Sequence, residues 1–188
     1  MAAVARGTIS GAPIVVYGLA MLRRRSAKQG SLPAGPVDVL LVCSTGGHLL
    51  QLTMLRAAWE GRTAVWVTFD KSDSRSLLDG ETVVTAYGPT NRSAMNALRN
   101  LGLALRLLPR LRPALVISTG AGVVVPFAWL GRLLGARIVY VESLTRSEEP
   151  SLSLRLIAPV VHRVYVQWPE LAPAVRRARY VGNVVGSP

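Results

Sequence analysis

The stretch LLVCSTGGHLLQLTML, residues 40–55, predicts the opening of a βαβ unit. Residues 37–43 are apolar except for Asp38, rich in branched side chains and too few for a helix that buries itself, which indicates a buried strand. Beyond the turn, leucines recur at three-residue spacing and indicate a helix. Gly46 and Gly47 allow a sharp turn and the close approach of a ligand. Because the first amides of a helix and its dipole favour an anion, we expect phosphate at this turn.

The composition predicts one folded domain with a large core. The chain has 188 residues, of which 50% are hydrophobic and 17% charged, which excludes a disordered protein and fits an α/β domain. Its net charge of +12 is consistent with a solvated arginine-rich surface, an anionic membrane, nucleic acid or a phosphate-bearing substrate. The single cysteine, Cys43, excludes internal disulfides and cysteine-based metal sites and suits a reducing compartment. We expect no metal.

The N-terminus is the one non-globular feature of the sequence. Residues 7–22 carry no charge and are followed by three arginines. As a helix they would span about 24 Å against a hydrocarbon core of about 30 Å, and the arginines would keep the domain in the cytoplasm. We therefore predict a membrane anchor or re-entrant segment at 1–25, a linker at 26–36 and the folded domain at 37–188. The alternative is a misassigned start or a disordered leader.

The rest of the sequence alternates strand-like and helix-like segments. Strands are predicted at 63–69, 82–87, 115–118, 137–141 and 164–166, helices at 92–111, 124–134 and 152–160, and a polar loop at 71–78. This alternation predicts a single doubly wound parallel-sheet domain of the α/β class, Rossmann-like in order. Such sheets bind ligands at the carboxyl ends of their strands.

Two similar glycine turns are predicted at that edge of the sheet. STGGH (44–48) and STGAG (118–122) each follow a short apolar strand and precede a helix. On neighbouring strands they would form a cleft of backbone amides and hydroxyls that suits a diphosphate, although such residues also serve as ordinary helix caps. The candidate substrate-binding residues are Ser44, Thr45, Gly46, Gly47, Thr119, Gly120, Ala121 and Gly122.

Other nucleotide and hydrolase sites fit the sequence poorly. The dinucleotide motif G-x-G-x-x-G is missing, although Asp70 follows the second strand where a ribose-binding acid would lie. No lysine follows the glycines as in a P-loop, no G-x-S-x-G elbow occurs, and the two histidines are not at metal-binding spacing. His162, just before a strand, is interpreted as a structural or surface residue.

His48 and Glu142 are the candidate catalytic residues. An imidazole titrates near neutral pH, so His48 at the mouth of the first turn could take a proton from an attacking hydroxyl or hold a phosphate oxygen. Glu142 ends the predicted strand at 137–141 and could orient a sugar hydroxyl or act as the base. The alternatives are a structural histidine, and a carboxylate that caps the next helix or pairs with an arginine.

The long predicted helix carries a stripe of arginines. Arg92, Arg99 and Arg106 are seven residues apart and therefore share one face. We expect the apolar residues of the helix to pack on the sheet, which would turn the stripe outward toward lipid headgroups. The alternative is an ordinary solvated face. The apolar residues in question are Met95, Leu98, Leu101, Leu105 and Leu108.

Four segments together carry a resemblance to a known family. They are VCSTGGHLLQLTML, WVTFDKSDSRSLL, LVISTGAGVVVPFAWLGRLLGARIVYVES and RVYVQWPEL. The chain resembles the membrane-anchored accessory subunit of the two-part UDP-N-acetylglucosamine transferase of lipid-linked oligosaccharide synthesis, and most of all its bacterial relatives in capsule and exopolysaccharide synthesis. The resemblance covers about residues 37–185.

The resemblance implies a fold and a division of labour. The family is similar to the N-terminal, acceptor-binding half of a GT-B glycosyltransferase, whose two glycine turns face a lipid diphosphate. Carried over, those turns are 46–48 and 120–122, where Ala121 departs from a plain glycine pair, with Glu142 on the strand that follows. No cofactor is bound tightly. The UDP-sugar donor is held mainly by a separate small subunit similar to a GT-B C-terminal domain, so that this chain alone would be inactive.

We therefore expect a subunit of a heteromeric glycosyltransferase at the cytoplasmic face of the cell membrane. The alternative is a non-catalytic anchor that recruits and activates a catalytic partner. A nucleic-acid binder is disfavoured because the arginines are not interleaved with aromatic residues in any recognition motif. Residues 180–185 are expected to contact the partner, unless they dock on the domain's own core.

Overall fold

The structure, a computed structural model, describes residues 31–90 and 93–186. The predicted anchor at 1–25 and Arg92 lie outside the described residues. The strands are β1 (Val39–Cys43), β2 (Ala64–Phe69), β3 (Val83–Ala86), β4 (Leu115–Gly120), β5 (Arg137–Val141), β6 (Arg163–Val166) and β7 (Ala178–Tyr180). The α-helices are α1 (Gly47–Met54), α2 (Ser72–Leu77), α3 (Ala94–Leu111), α4 (Val124–Leu133) and α5 (Leu152–Ile157), and single 3₁₀ turns lie at Arg56–Trp59 and Pro169–Ala174.

All seven strands form one parallel sheet in the order β3-β2-β1-β4-β5-β6-β7. This confirms the predicted doubly wound architecture. Because β1 and β4 are neighbours in the sheet, the two glycine turns that follow them lie side by side at its carboxyl edge. The order reverses at β1, the position where sheets of this class bind ligands.

Helices cover both faces of the sheet, so the central strands are buried on each side. Alternate residues of β1 contribute to different cores, because successive side chains of a strand point to opposite faces. Leu40 and Val42 pack in the core that contains residues of α3, α4 and α5. Leu41 packs in the core under α1, which includes Trp66. This is why the strands appear in the sequence as unbroken apolar runs.

The prediction of a loop at 71–78 is wrong, because this segment contains α2. The buried Ser74 explains the helix: its hydroxyl accepts from the amide of Lys71 at 3.0 Å and donates to the carbonyl of Phe69 at 2.7 Å. A six-residue polar helix held by such local bonds shows no apolar period in the sequence.

The prediction for the buried face of α3 is also wrong. Of the five apolar residues expected to pack on the sheet, only Leu108 is fully buried, while Met95, Leu98 and Leu105 are 59%, 64% and 55% exposed. The residues that face the sheet are instead Asn100, Ala104, Leu107, Leu108 and Leu111. The leucines of α3 lie on two sides of the helix. The small side chain of Ala104 allows the side that contains Leu107, Leu108 and Leu111 to pack closely on the sheet. The outer face of α3 is consequently apolar beside its arginines.

The C-terminal segment is docked on the sheet and still exposes apolar side chains. Tyr180 ends β7, and the amide of Val184 donates to the side-chain carbonyl of Gln167 at 3.0 Å. Val181 and Val185 are 73% and 53% exposed. Within 31–90 and 93–186, no helix combines the length and apolar character needed to cross a membrane.

Candidate functional site

The first turn positions the start of α1. Gly46 has φ +75°, a left-handed conformation that favours glycine, and α1 begins at Gly47. The amide of Gly46 donates to the carboxylate of Asp73 in α2 at 2.6 Å, so this amide already has an anionic partner. The next amides, of Gly47 and His48, have no acceptor within the first turn of the helix. These two amides are the candidates in this turn for binding an external anion.

The second turn is shaped to receive the side chain of the first. Gly120 has φ +129°, and a Cβ built on it would lie 2.6 Å from Cε1 of His48 and 3.1 Å from the hydroxyl of Tyr140. Only glycine fits this position. Ala121 has φ +71°, and a Cβ on Gly122 would lie 3.3 Å from Thr90. The second turn therefore supplies the surface against which the imidazole of His48 rests.

A pair of hydrogen bonds ties His48 to Thr119. Nδ1 of His48 lies 2.7 Å from the carbonyl oxygen of Thr119, and the Thr119 hydroxyl donates to the carbonyl of His48 at 2.6 Å. Because a carbonyl can only accept, Nδ1 must carry the proton. The neutral ring then has an unprotonated Nε2 available as a base. The side chain of Thr119 is fully buried. It is therefore a residue that positions His48 rather than one that contacts a ligand.

Glu142 is buried and both of its carboxylate oxygens accept hydrogen bonds. Oε1 accepts from the amide of Ser143 at 2.9 Å and Oε2 from the amide of Ser151 at 2.8 Å. Ser151 is the N-cap of α5, so Glu142 holds the loop between β5 and α5. These contacts favour the capping alternative, and a catalytic role for Glu142 stays a prediction.

A cleft of about 1320 Å³ opens in front of the two turns and has two halves. The polar half includes Ser44, His48, Ser143, Thr145, Arg146 and Ser151. The apolar half, between α3, α4 and α5, includes Leu98, Leu101, Val125, Trp129, Leu152 and Leu156. Ala121 and Gly122 also line this cleft, whereas Thr45 lines a second cavity beside it. Such a division suits a ligand with a polar head and an apolar chain.

Arg146 is a cation of the polar half that sequence reasoning missed. It makes no ion pair with any residue in the part of the chain that the structure describes.

Burial, followed by the charge of Glu142, raises the pKa of Tyr140, and the charge of Arg146 acts on this pKa in the opposite direction. Tyr140 therefore stays protonated, with its hydroxyl 3.1 Å from the hydroxyl of Ser151. The only sequence signal for Arg146 is its place in the loop after a central strand.

Two buried glutamines connect the first turn with the C-terminal segment. Gln51 of α1 donates to the carbonyl of Gly47 at 3.0 Å and accepts from the amide of Leu144 at 2.8 Å. Gln167 donates to the side-chain oxygen of Gln51 at 2.7 Å and accepts from the amide of Val184. We call this chain of bonds the glutamine relay. It makes the position of the first turn depend on the loop after β5 and on the C-terminal segment.

Among the described residues, the remaining titratable groups supply neither an unpaired ribose-binding acid at Asp70 nor a metal-binding cluster. Asp70 is paired with Arg75 through two hydrogen bonds of 2.6 and 2.8 Å, and this contact lowers the pKa of Asp70. The carboxylate of Asp70 is therefore not available to bind the hydroxyls of a ribose. Among the described residues, no group of three or more histidine, cysteine, aspartate or glutamate side chains could hold a metal ion. Burial raises the pKa of Cys43 to about 12, so its thiol is inert.

Over residues 83–184 the chain matches the family described as "Oligosaccharide biosynthesis protein Alg14 like". It is 32% identical to the UDP-N-acetylglucosamine transferase subunit ALG14 of Eremothecium gossypii, over 90% of this chain and 88% of that protein. The human protein of the same name is 26% identical over 81% of this chain and 85% of its own length. The Debaryomyces hansenii protein of that name is 35% identical, but the match spans only 48% of it.

The fold resembles those of larger enzymes. The TM-score with Acinetobacter baumannii MurG is 0.62 at 17% identity, and with UDP-N-acetylglucosamine 2-epimerase from Rickettsia bellii 0.60 at 11% identity. In both, 80% of this chain covers 46% of the other. This confirms the predicted likeness to the N-terminal half of a GT-B glycosyltransferase.

Proposed function

The chain belongs to the Alg14 family, and on that premise we propose that it is the acceptor-binding subunit of a heteromeric glycosyltransferase. The reaction transfers a sugar from a UDP-sugar, N-acetylglucosamine or another hexose or uronic acid, to a lipid-diphosphate-linked saccharide. The product belongs to oligosaccharide, capsule or exopolysaccharide synthesis. A separate small subunit similar to a GT-B C-terminal domain holds the UDP-sugar. The relatives' name, a transferase subunit, supports a partner of this kind.

The observation that carries this proposal is the position of His48 in a cleft with one polar and one apolar half. The acceptor hydroxyl attacks the anomeric carbon of the donor sugar while the bond from that carbon to the UDP oxygen breaks. Nε2 of His48 takes the proton of the hydroxyl, and UDP leaves with the bonding electrons. General base catalysis of this kind contributes about 10²–10⁴-fold.

The same cleft suggests how the acceptor lies. Its diphosphate would be bound by the amides of Gly47 and His48 and by the guanidinium of Arg146, since charge-assisted bonds favour an anion there. Its lipid chain would follow the apolar half between α3, α4 and α5. The hydroxyl groups of Ser143 and Ser151 complete the polar end.

The outer face of α3 supports a location at the membrane. Met95, Leu98 and Leu105 are exposed beside Arg99 and Arg106, a combination that suits the headgroup region, where each basic residue contributes about 1 kcal/mol. In protein without residues 1–30, glutamine at Arg92, Arg99 and Arg106 is expected to weaken binding to anionic vesicles at low salt. Unchanged, salt-insensitive binding would instead indicate a solvated face. We place the domain at the cytoplasmic face of the cell membrane.

The test of the catalytic proposal is His48→Ala in the complex with the partner. Transfer to the lipid-linked acceptor is expected to fall by about 10² or more, while the partner still co-purifies. Normal transfer by this variant would reject a catalytic subunit and favour the alternative, an anchor that only recruits and activates the partner. His162→Ala is the matched control, because it removes the other histidine far from the cleft.

A second experiment locates the partner. The apolar side chains exposed at Val181 and Val185 favour the C-terminal segment as the contact surface. Deletion of residues 181–188, which leaves β7 in place, is expected to abolish co-purification without unfolding the domain. If the partner still co-purifies with the shortened chain, the interface lies elsewhere on the domain.

A further inference from the structure

A second cavity of about 540 Å³, here called the side pocket, opens at the carboxyl ends of β1, β2 and β3. Ser44, Phe69 and Pro89 line both the side pocket and the main cleft, so a ligand can extend from one into the other. The volume lies in the range of small-ligand sites, about 300–1,000 Å³. Neither the lipid nor the diphosphate of the proposed acceptor requires this space.

The wall of the side pocket is fixed by two asparagines of α3. Asn100 is fully buried, accepts from the amide of Tyr87 at 2.9 Å and donates to its carbonyl at 2.8 Å. Asn96, which lines the pocket, donates to the carbonyl of Pro89 at 2.8 Å. The guanidinium of Arg99 lies over the ring of Tyr87, 5.9 Å from its centroid. These contacts hold an aromatic face and a cation in the pocket before any ligand arrives.

The charges of the side pocket favour an anion. Lys71 and Arg99 both line it and have no carboxylate partner among residues 31–90 and 93–186. Asp70 lines it as well, but its two oxygens are engaged by Arg75. The carboxylate of Asp73, in the first turn of α2, accepts a hydrogen bond from the amide of Gly46. Among the described residues, Lys71 and Arg99 therefore line the side pocket as cations without an ion pair.

The remaining lining consists of groups that hydrogen-bond sugar hydroxyls. Thr45, Thr85 and Asn96 supply two hydroxyls and an amide, and Tyr87 adds an aromatic side chain to the lining. This combination of hydroxyls, an aromatic ring and two cations differs from the apolar half of the main cleft.

We propose that the side pocket binds a sugar residue of the acceptor through a carboxylate or phosphate group on that sugar. The proposal rests on the proposed function and specifies its acceptor as a charged saccharide. Lys71 and Arg99 contact the oxyanion, and Ser44 and Thr45 of the first glycine turn lie beside this sugar. Arg99 thereby binds substrate in addition to its proposed contact with headgroups, whereas Arg106, which does not line the side pocket, has only the latter role.

The test is titration of the full chain in detergent with three probes: glucuronate, glucose 6-phosphate and glucose. We expect saturable binding of at least one anionic sugar and weaker or no binding of glucose. Tighter binding of glucuronate would identify a carboxylate, and tighter binding of glucose 6-phosphate a phosphate. Equal binding of glucose and both anions would overturn the proposal.

Variants locate the binding. Lys71→Gln and Arg99→Gln are each expected to raise the dissociation constant of the preferred probe about fivefold or more. Arg110→Gln, an exposed cation on the same helix that lines neither cavity, is expected to leave it within about twofold. Equal effects of all three, or no effect of Arg99→Gln, would reject the side pocket. Thermal unfolding of each variant verifies that it is folded.

The failure of this proposal can be told apart from failure of the transferase function. His48→Ala is expected to leave the sugar titration unchanged while it reduces transfer. If the titration behaves as expected but His48→Ala transfers normally, the side pocket stands and the catalytic proposal falls. If His48→Ala loses transfer but Arg99→Gln leaves the titration unchanged, the catalytic proposal stands and the side-pocket proposal is rejected.

Discussion

The chain has two histidines, and they occupy opposite ends of the same sheet with opposite hydrogen bonds. At the carboxyl edge, Nδ1 of His48 donates to the carbonyl of Thr119 at 2.7 Å. At the amino edge, Nδ1 of His162 accepts from the amide of Ile138 at 2.9 Å. The neutral rings are therefore opposite tautomers, with the unprotonated nitrogen free in His48 and engaged in His162.

The difference shows how hydrogen-bond partners decide whether a histidine keeps an unprotonated ring nitrogen without a partner. His162 pairs with Ile138 through both its ring and its own amide, so it continues the pairing of β5 with β6 and leaves no lone pair for chemistry. Burial, aided by Arg132, Arg137 and Arg177, lowers its pKa. This confirms the structural interpretation of His162. In His48 the carbonyl partner fixes the ring and leaves Nε2 free.

The largest effect on this comparison is expected from Gly120→Ala. The added Cβ would meet the imidazole of His48 at 2.6 Å in a backbone conformation with φ +129°, so the ring must leave its position. We expect transfer by the complex to fall by about 10² or more, with the domain still folded.

Gly135→Ala is the matched control for this change. Gly135 also has positive φ, +91°, but a Cβ there meets nothing within 4 Å. It reproduces the backbone strain, about 1–3 kcal/mol, without moving His48, and should keep normal transfer. Equal loss of activity in both variants would mean that strain alone, and not the imidazole, explains the effect.

A smaller effect is expected from Thr119→Val, which keeps the shape of the side chain. It removes the 2.6 Å bond to the carbonyl of His48 and leaves the ring contact with the Thr119 carbonyl intact. We expect the free energy of unfolding to fall by about 1 kcal/mol and transfer by less than about tenfold. A loss as large as that of His48→Ala would show that the hydroxyl, rather than the carbonyl, fixes the imidazole.

The comparison predicts the opposite result at the other end of the sheet. His162→Ala removes the acceptor for the amide of Ile138, so the free energy of unfolding should fall by about 1–2 kcal/mol with transfer unchanged. His162→Asn, whose side-chain oxygen can replace Nδ1, should recover part of the loss. Loss of transfer in a folded His162→Ala protein would break the distinction between the two histidines.

The smallest effect concerns pH. Because the pKa of His162 is lower in the folded than in the unfolded chain, its contribution to stability is present above the ordinary value of about 6.5 and is lost as the pH falls below it. Denaturant unfolding at pH 7.0, 6.2 and 5.5 should show decreasing stability. His162→Asn should have a shallower slope, and an identical slope would assign the pH dependence to other groups.

The sequence was sufficient for six of the seven described strands and for the two glycine turns, but it did not predict β7. Apolar runs marked the strands because strands buried on both faces cannot alternate, and Gly46 and Gly120 marked positions where positive φ is required. The sequence did not predict the buried face of α3, because its leucines lie on two sides of the helix and periodicity does not reveal which side packs on the sheet. It did not predict α2, because the hydrogen bonds of Ser74 that stabilise this short polar helix produce no apolar periodicity.

The candidate site was predicted only where a glycine turn or the last residue of a strand marked it. His48 stands in a strand–glycine–helix turn, whereas Arg146 and Lys71 stand in segments without such a motif and Arg99 stands on a helix. Glu142 shows the converse: its place at the end of β5 suggested chemistry, but its oxygens are bound to backbone amides. A position at the strand end identifies the neighbourhood of a site, and only the hydrogen-bond partners identify the role.

The glutamine relay has a thermodynamic consequence. Gln51 donates to the carbonyl of Gly47, and Gln167 joins Gln51 to the amide of Val184, so the first turn and the C-terminal segment share one set of bonds. If a partner that docks on this segment favours the intact relay, it raises the affinity for acceptor by some factor. By reciprocity, the acceptor then raises the affinity for the partner by the same factor. The affinity between the two subunits would therefore be highest when the acceptor is bound.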